Sequence, residues 1–208
     1  MEVSARALDD LLGSGPVRWV LLGDSITEGW GLGQAHLGYA GVFAHHLRHR
    51  AGPVRARDAV RNGGVAGATV GEALWDFQAR VARHEPDIVS ILFGINDAAW
   101  GSARLDRFRS GLAQLVSRAI DLGALPVLQT PYPVGRGGEA THAALPAYVD
   151  AIRDIAHVTG APLVDHFAHW VGLAERGEWY VDPSHVDERG HAELARLMIE
   201  TLFPGADA

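Results

Sequence analysis

The stretch Val20-Leu21-Leu22-Gly23-Asp24-Ser25-Ile26-Thr27-Glu28-Gly29 decides how this chain is read. Residues 19–22 are a continuous apolar run, the mark of a strand covered on both faces. The run stops at Gly23, and an acid, a serine and a segment able to start a helix follow. A serine at the end of a central strand lies at the rim of the sheet. There its hydroxyl can meet a ligand and its backbone N–H can face an anion. Taken alone, Asp24 or Ser25 reads first as a helix N-cap. The rest of the chain gives the serine a larger part.

Working outward, residues 2–12 are expected to form a short amphipathic helix ended by Gly13-Ser14-Gly15-Pro16. Residues 29–38 hold four glycines and are expected as a loop over the crevice, before a helix at 39–49. Residues 54–60 alternate as a second strand and run into Asn62-Gly63-Gly64-Val65-Ala66-Gly67-Ala68-Thr69. Val70, Leu74, Phe77 and Val81 recur at helical spacing up to Glu85-Pro86. A third strand is expected at 88–93, stopping at Gly94-Ile95-Asn96-Asp97, and Phe108, Leu112, Leu115 and Ala119 stripe the next helix. Beyond it come a strand at 126–129, a loop at 130–141 and a helix marked by Tyr148, Ile152 and Ile155. A fifth strand at 161–164, a short helix at 166–176, a loop at 179–186 and a closing helix at 188–203 complete the chain. Strands alternating with helices predict a parallel sheet covered on both sides. The expected architecture is a single α/β domain over residues 1–208, a three-layer α/β/α sandwich with a five-stranded parallel sheet.

Composition narrows the chemistry. The chain has 208 residues, 48% hydrophobic and 21% charged, ordinary values for a globular protein with a full core. It has no cysteine, which excludes disulfides, thiolate nucleophiles and cysteine-based metal centres. All 18 basic residues are arginine, so lysine Schiff bases and the lysine of a phosphate-binding P-loop are excluded too. A net charge of −7 argues against nucleic acid as a partner. The cluster Arg48, Arg50, Arg55, Arg57 and Arg61 reads as a solvated face. No apolar run is long enough to cross a bilayer. The first twelve residues lack a basic start followed by an apolar core, so the expected compartment is the cytoplasm, with secretion after signal removal left open.

Three strand ends are rich in glycine and polar residues: Gly23-Asp24-Ser25, residues 62–67, and residues 94–97. In an open parallel sheet such ends line one edge, where ligands bind. A fourth polar segment, Asp182-Pro183-Ser184-His185, precedes the last helix. Together they supply a serine, glycine N–H groups, an asparagine amide, a histidine and an aspartate. That inventory suits acyl transfer.

Gly23-Asp24-Ser25-Ile26, Asn62-x-Gly64-x-x-Gly67, Gly94-x-Asn96-Asp97 and Asp182-x-x-His185, in this order, resemble the four blocks of the SGNH hydrolases, the GDSL-type esterase/lipase family. The resemblance implies that family's fold, a flavodoxin-like sheet. It also implies that Ser25 is the nucleophile, His185 the base and Asp182 the acid that orients it; from the residues alone, Asp187 or Asp165 could take the acid's place if the loop turns otherwise. The oxyanion would be met by the N–H groups of Ser25 and Gly67 and by the Asn96 amide, with Asp24 supporting the block geometry. Val186 stands where the family often has proline, and Ala68 where an aspartate is usual. The partner is then a small-molecule ester, such as an O-acetyl ester of a sugar or secondary metabolite, and no cofactor or metal is expected. An acyltransferase using the same acyl-enzyme is the near alternative.

Trp30, Trp100, Tyr132, Trp179 and Tyr180 lie in expected loops and are candidates for the substrate wall. His45, His46, His49, His84 and His157 are expected at the surface, and His191 to pack or cap inside the last helix. Gly31 and Gly33 do not make a dinucleotide fingerprint. No Gly-x-Ser-x-Gly elbow occurs, which argues against an α/β-hydrolase. Two other classes stay open: a metal-dependent phosphoesterase, which needs an Asp-x-His pair that the first strand lacks, and a flavodoxin-like binding module.

Overall fold

In a computed structural model, residues 5–32, 36–173 and 176–204 are described. The elements run α1 (Ala5–Ser14), β1 (Arg18–Gly23), α2 (Ser25–Glu28), α3 (Tyr39–His49), α4 (Gly52–Arg55), β2 (Ala59–Gly64), α5 (Val70–Trp75) and α6 (Phe77–Arg80). They continue β3 (Ile88–Leu92), α7 (Ile95–Ala98), α8 (Leu105–Asp121), β4 (Leu125–Gln129), α9 (Leu145–Thr159), β5 (Leu163–Val164), α10 (His166–Gly172) and α11 (Glu188–Leu202). Among the described residues the strands form one sheet in the order β2-β1-β3-β4-β5, every pair parallel.

The pleat of β1 explains its unbroken apolar run. Val20 and Leu22 point into a core shared with α5, α8 and α9, and Trp19 and Leu21 into a second core shared with α3 and α11. The chain leaves β1 toward β2 and then crosses to β3 on the other side. The ends of β1 and β3 therefore flank the point where the winding reverses, which is where open α/β sheets bind ligands. Ser25 follows one of these strands and Asn96 the other. No helix among the described residues is long and apolar enough to cross a membrane.

The second strand lies later than its alternation predicts. Residues 52–55 turn as α4 around Gly52-Pro53, and the strand is Ala59–Gly64, taking in Asn62, Gly63 and Gly64. These glycines are in a strand because α2 crosses directly over it: a Cβ on Gly64 would lie 2.2 Å from the Glu28 nitrogen. The expected helix over Val70–Val81 is broken at Asp76 into α5 and α6. The first helix runs to Ser14, past Gly13. The helix expected at 166–176 stops at Gly172, and residues 174 and 175, like Gly33 in the loop at 29–38, lie outside the described residues. His46 is buried against α11 rather than exposed.

Candidate active site

The site begins with a cap. Asp24 is the N-cap of α2, and its Oδ1 accepts the Ile26 N–H at 3.0 Å. Gly23 has no room for a side chain, since a Cβ there would meet Thr27 Oγ1 at 2.0 Å. The turn from β1 into α2 is thereby tight enough to put Ser25 at the first helical position, where a backbone N–H is left without a helical acceptor. Arg80 fastens the strand ends beside it, donating from Nη2 to the carbonyls of Gly23 and Gly63. Asn62 adds a second fastening, with Nδ2 donating to Thr27 O at 2.8 Å and Oδ1 accepting from Gly64 N–H at 2.8 Å. Burial pushes the Asp24 carboxyl up to about 7, its hydrogen bond from Ile26 offsetting only part of the effect.

Across 160 residues of chain, His185 comes to this serine: Nε2 lies 2.8 Å from Ser25 Oγ. On the other side of the ring, Nδ1 lies 2.8 Å from Asp182 Oδ2 and 3.0 Å from Oδ1. Asp182 Oδ1 also accepts the N–H groups of Ser184 (2.8 Å) and His185 (2.9 Å). Partial burial pushes this carboxyl up, but the bonds from Ser184 N–H and the His185 ring outweigh it. Asp182 ends below the ordinary carboxylate range. An ionised carboxylate only accepts, so in the neutral ring the proton belongs on Nδ1 and the lone pair of Nε2 faces Ser25 Oγ.

The other acids are occupied elsewhere. Asp165 caps α10 and pairs with Arg153, while Asp187 caps α11 and pairs with Arg189. The Asp182–His185 segment is held by Tyr132, whose hydroxyl donates to Ser184 O at 2.9 Å, and by Gly135 N–H on Pro183 O at 2.8 Å. Val186, in the place where proline is common, is fully buried beneath it.

Two of the three oxyanion-donor candidates, Gly67 and Asn96, lie on segments that touch. Asn96, at the second position of α7, donates from Nδ2 to Ala68 O at 3.1 Å, leaving its second amide hydrogen for another acceptor. Gly67 has φ of +76°, a left-handed conformation that only glycine adopts without strain. A Cβ there would meet no protein atom within 4 Å, so conformation rather than crowding within the chain requires the glycine. The Gly67 N–H donates to no acceptor among the described residues.

The five aromatic candidates separate. Trp30 is half-exposed with its ring 4.4 Å from that of His185. Trp100 is 61% exposed and stands at a different cavity, beside Arg104. Tyr132 is 0% exposed, so it is a prop beneath the histidine segment and not a wall of the crevice. Trp179 packs edge-on against Trp170 and Tyr180 against Tyr132, and the Tyr180 hydroxyl donates to Pro133 O. His191 packs, as expected, its Nδ1 accepting the Tyr39 N–H. Among the described residues no three His, Asp or Glu side chains are grouped as a metal would need. Arg80 and the cavity beside Trp100 were not legible in the sequence, since both depend on contacts between distant segments.

Comparison with known proteins now bears on this geometry. The chain is 29% identical over 182 residues to the uncharacterized lipoprotein YqeF of Bacillus subtilis, covering 70% of this chain and 72% of that one. In structure it is similar to Axe2, an acetylxylan esterase from Geobacillus stearothermophilus, with a TM-score of 0.76 at 23% identity, covering 91% of this chain and 95% of that one. It is also similar to LAE5, an alpha/beta hydrolase enzyme from the metagenome of Lake Arreo, Spain, with a TM-score of 0.76 at 25% identity, covering 92% and 97%. The sequence profile of the GDSL-like Lipase/Acylhydrolase family matches residues 21–193, from within β1 into α11. The chain belongs to that family, has its SGNH fold, and is a carboxylic ester hydrolase.

Proposed function

We propose that this chain hydrolyses short-acyl esters, such as O-acetyl esters of sugars or secondary metabolites, through an acyl-enzyme on Ser25. The observation that carries the reading is the 2.8 Å approach of His185 Nε2 to Ser25 Oγ, with Asp182 on the far ring nitrogen. Ser25 Oγ attacks the acyl carbon as its proton passes to Nε2. The new C–O bond leaves negative charge on the former carbonyl oxygen, to be met by the N–H groups of Ser25 and Gly67 and the Asn96 amide. Each such donor is worth on the order of 3 kcal/mol of barrier. Collapse breaks the bond to the alcohol, which leaves with the proton from Nε2. Water then repeats the sequence on the acyl-enzyme, releasing the acid and restoring Ser25. Asp182 holds the tautomer and stabilises the imidazolium.

Related observations support the assignment. Trp30, lying against the imidazole, walls one side of the crevice. In Axe2, variants of a serine, a histidine and an aspartate are described as catalytic mutants. That protein's acetylated substrate supports the short acyl group proposed for this one.

The test is intact-mass analysis after exposure to a fluorophosphonate, with wild type and Ser25→Ala side by side. One adduct on wild type and none on the variant is expected. No adduct on a folded wild type would overturn the reading.

A further inference from the structure

Beside Asn96 the fold leaves a cavity of about 300 Å³, within the size range of small-molecule sites. Its walls come from the start of α5 (Thr69), from the end of α7 and the turn after it (Asp97, Trp100), and from the region of α8 (Arg104, Arg107, Gln114). Asp97 is the residue after Asn96, and Thr69 follows Gly67 by two. The cavity thus adjoins two of the three segments proposed to carry oxyanion donors, those of Gly67 and Asn96.

Its chemistry is uneven in an informative way. Arg104 and Arg107 form no ion pair with a carboxylate among the described residues, although the chain carries a net −7 and six of its other arginines are so paired. Glu72, an acid of the same helix start, is turned back onto the N–H and Oγ of Thr69 in a capping box. The Arg104 guanidinium lies 4.2 Å over the Trp100 ring, which holds it in place while leaving its N–H edges open. Deeper in, Asp97 is 8% exposed, and its buried Oδ2 has no hydrogen-bond partner. Buried oxygens of this kind are normally satisfied. Oδ2 is closed to solvent, so a ligand hydroxyl meets it only when the Asp97 side chain turns toward the cavity that it lines. The cavity therefore asks for a donor hydroxyl at its inner end and a compact anion at its arginine rim.

We infer that this cavity is the substrate's second subsite, and that it takes a polyol ester bearing a carboxylate or phosphate, with a hydroxyl on Asp97 and the anion on Arg104 and Arg107. The inference rests on the hydrolase reading above. It narrows that reading from short-acyl esters in general to those of acidic or phosphorylated sugars.

The experiment compares kcat/KM for O-acetylglucose, O-acetylglucuronate and O-acetylglucose 6-phosphate on wild type and on the R104Q/R107Q variant. At least one anionic ester is expected to exceed the neutral one roughly tenfold, chiefly through KM, and the ratio is expected to fall to about one in the variant. Which anionic ester leads separates the carboxylate source from the phosphate source. Equal rates in wild type, or a preference that survives in the variant, would overturn the inference. Failure of the hydrolase reading shows differently, as no turnover of any ester and no fluorophosphonate adduct. Calorimetry of glucuronate and inorganic phosphate with Ser25→Ala then decides the cavity by itself. Binding that R104Q/R107Q removes supports it, and no binding overturns it.

Discussion

The turns after β1 and β3 are built alike and held differently. Each leaves a buried central strand at or just before a glycine and enters a helix of four residues. Each carries an aspartate that burial pushes upward, Asp24 to about 7 and Asp97 to about 6. In both, Oδ1 accepts a backbone N–H and Oδ2 is buried without a partner. The difference is where the N–H comes from. Asp24 caps Ile26, two residues on, whereas Asp97 reaches Val70, 27 residues away, at 3.2 Å. The cap beside the serine is thus supplied by its own segment, with Asn62 and Arg80 fastening the turn from outside. The asparagine amide is placed by a tether to another part of the chain, so the two halves of the site respond to damage in different ways.

The largest effects lie at the reacting groups and should fall on both turns together. Replacing His185 with Ala is expected to cut kcat by about 10⁴–10⁶, and Asp182→Asn by about 10⁴ because the wrong tautomer would face Ser25. Steady-state rates on an acetyl ester check both, and a loss below tenfold for either would remove that residue from the mechanism. Next comes Asn96→Ala, expected to lower kcat by about 10²–10³ with KM little changed. A change confined to KM would mean that the amide binds substrate without meeting the developing charge.

Asp97→Ala sharpens the contrast. Cutting the tether to Val70 should lower kcat about tenfold through a displaced Asn96, while fluorophosphonate labelling of Ser25 continues, since its own cap is intact. Equal loss of labelling would show that the two turns are not independent. The smallest effect on turnover is expected at Asp24→Asn, which keeps an acceptor for Ile26 N–H, and the change appears in stability instead. With the folded-state value raised to about 7, the native protein binds this proton more tightly than the unfolded chain does. Stability from this group is present in full below about pH 4 and is lost as pH rises toward 7, at up to about 1.4 kcal/mol per unit. Denaturant titrations from pH 4 to 7 should show that slope in wild type and a flatter one in the variant. Identical slopes would contradict the buried-acid account.

Much of the architecture was legible because local signals agreed with the fold. The apolar runs at 19–22 and 88–93 are strands covered on both faces, and the helix at 39–49 falls where its pattern places it. The candidate triad was legible because its parts are short contiguous blocks. What failed were judgements that needed contacts across the chain. The expected strand ended at residue 60, ahead of Gly63 and Gly64, yet β2 contains both, with α2 leaving no space for a Cβ on Gly64. Tyr132 read as a pocket wall from its loop position, although its hydroxyl is spent on Ser184 O. Arg104 and Arg107 carried no motif, and only the packing of α5 against α8 gives them a cavity to face.

The segment holding Asp182 and His185 has a consequence of another kind. Acid and base sit three residues apart and share hydrogen bonds, so they are prealigned wherever the segment goes. Its attachment to the body runs through a few contacts, among them Tyr132 with Ser184, Gly135 with Pro183, and Trp30 with His185. Free energies of local opening can lie far below that of global unfolding. On heating, the base is therefore expected to leave its seat before the sheet unfolds. A preparation can keep its secondary structure through a thermal pulse and still owe its recovery of turnover to how quickly one short segment finds its seat again.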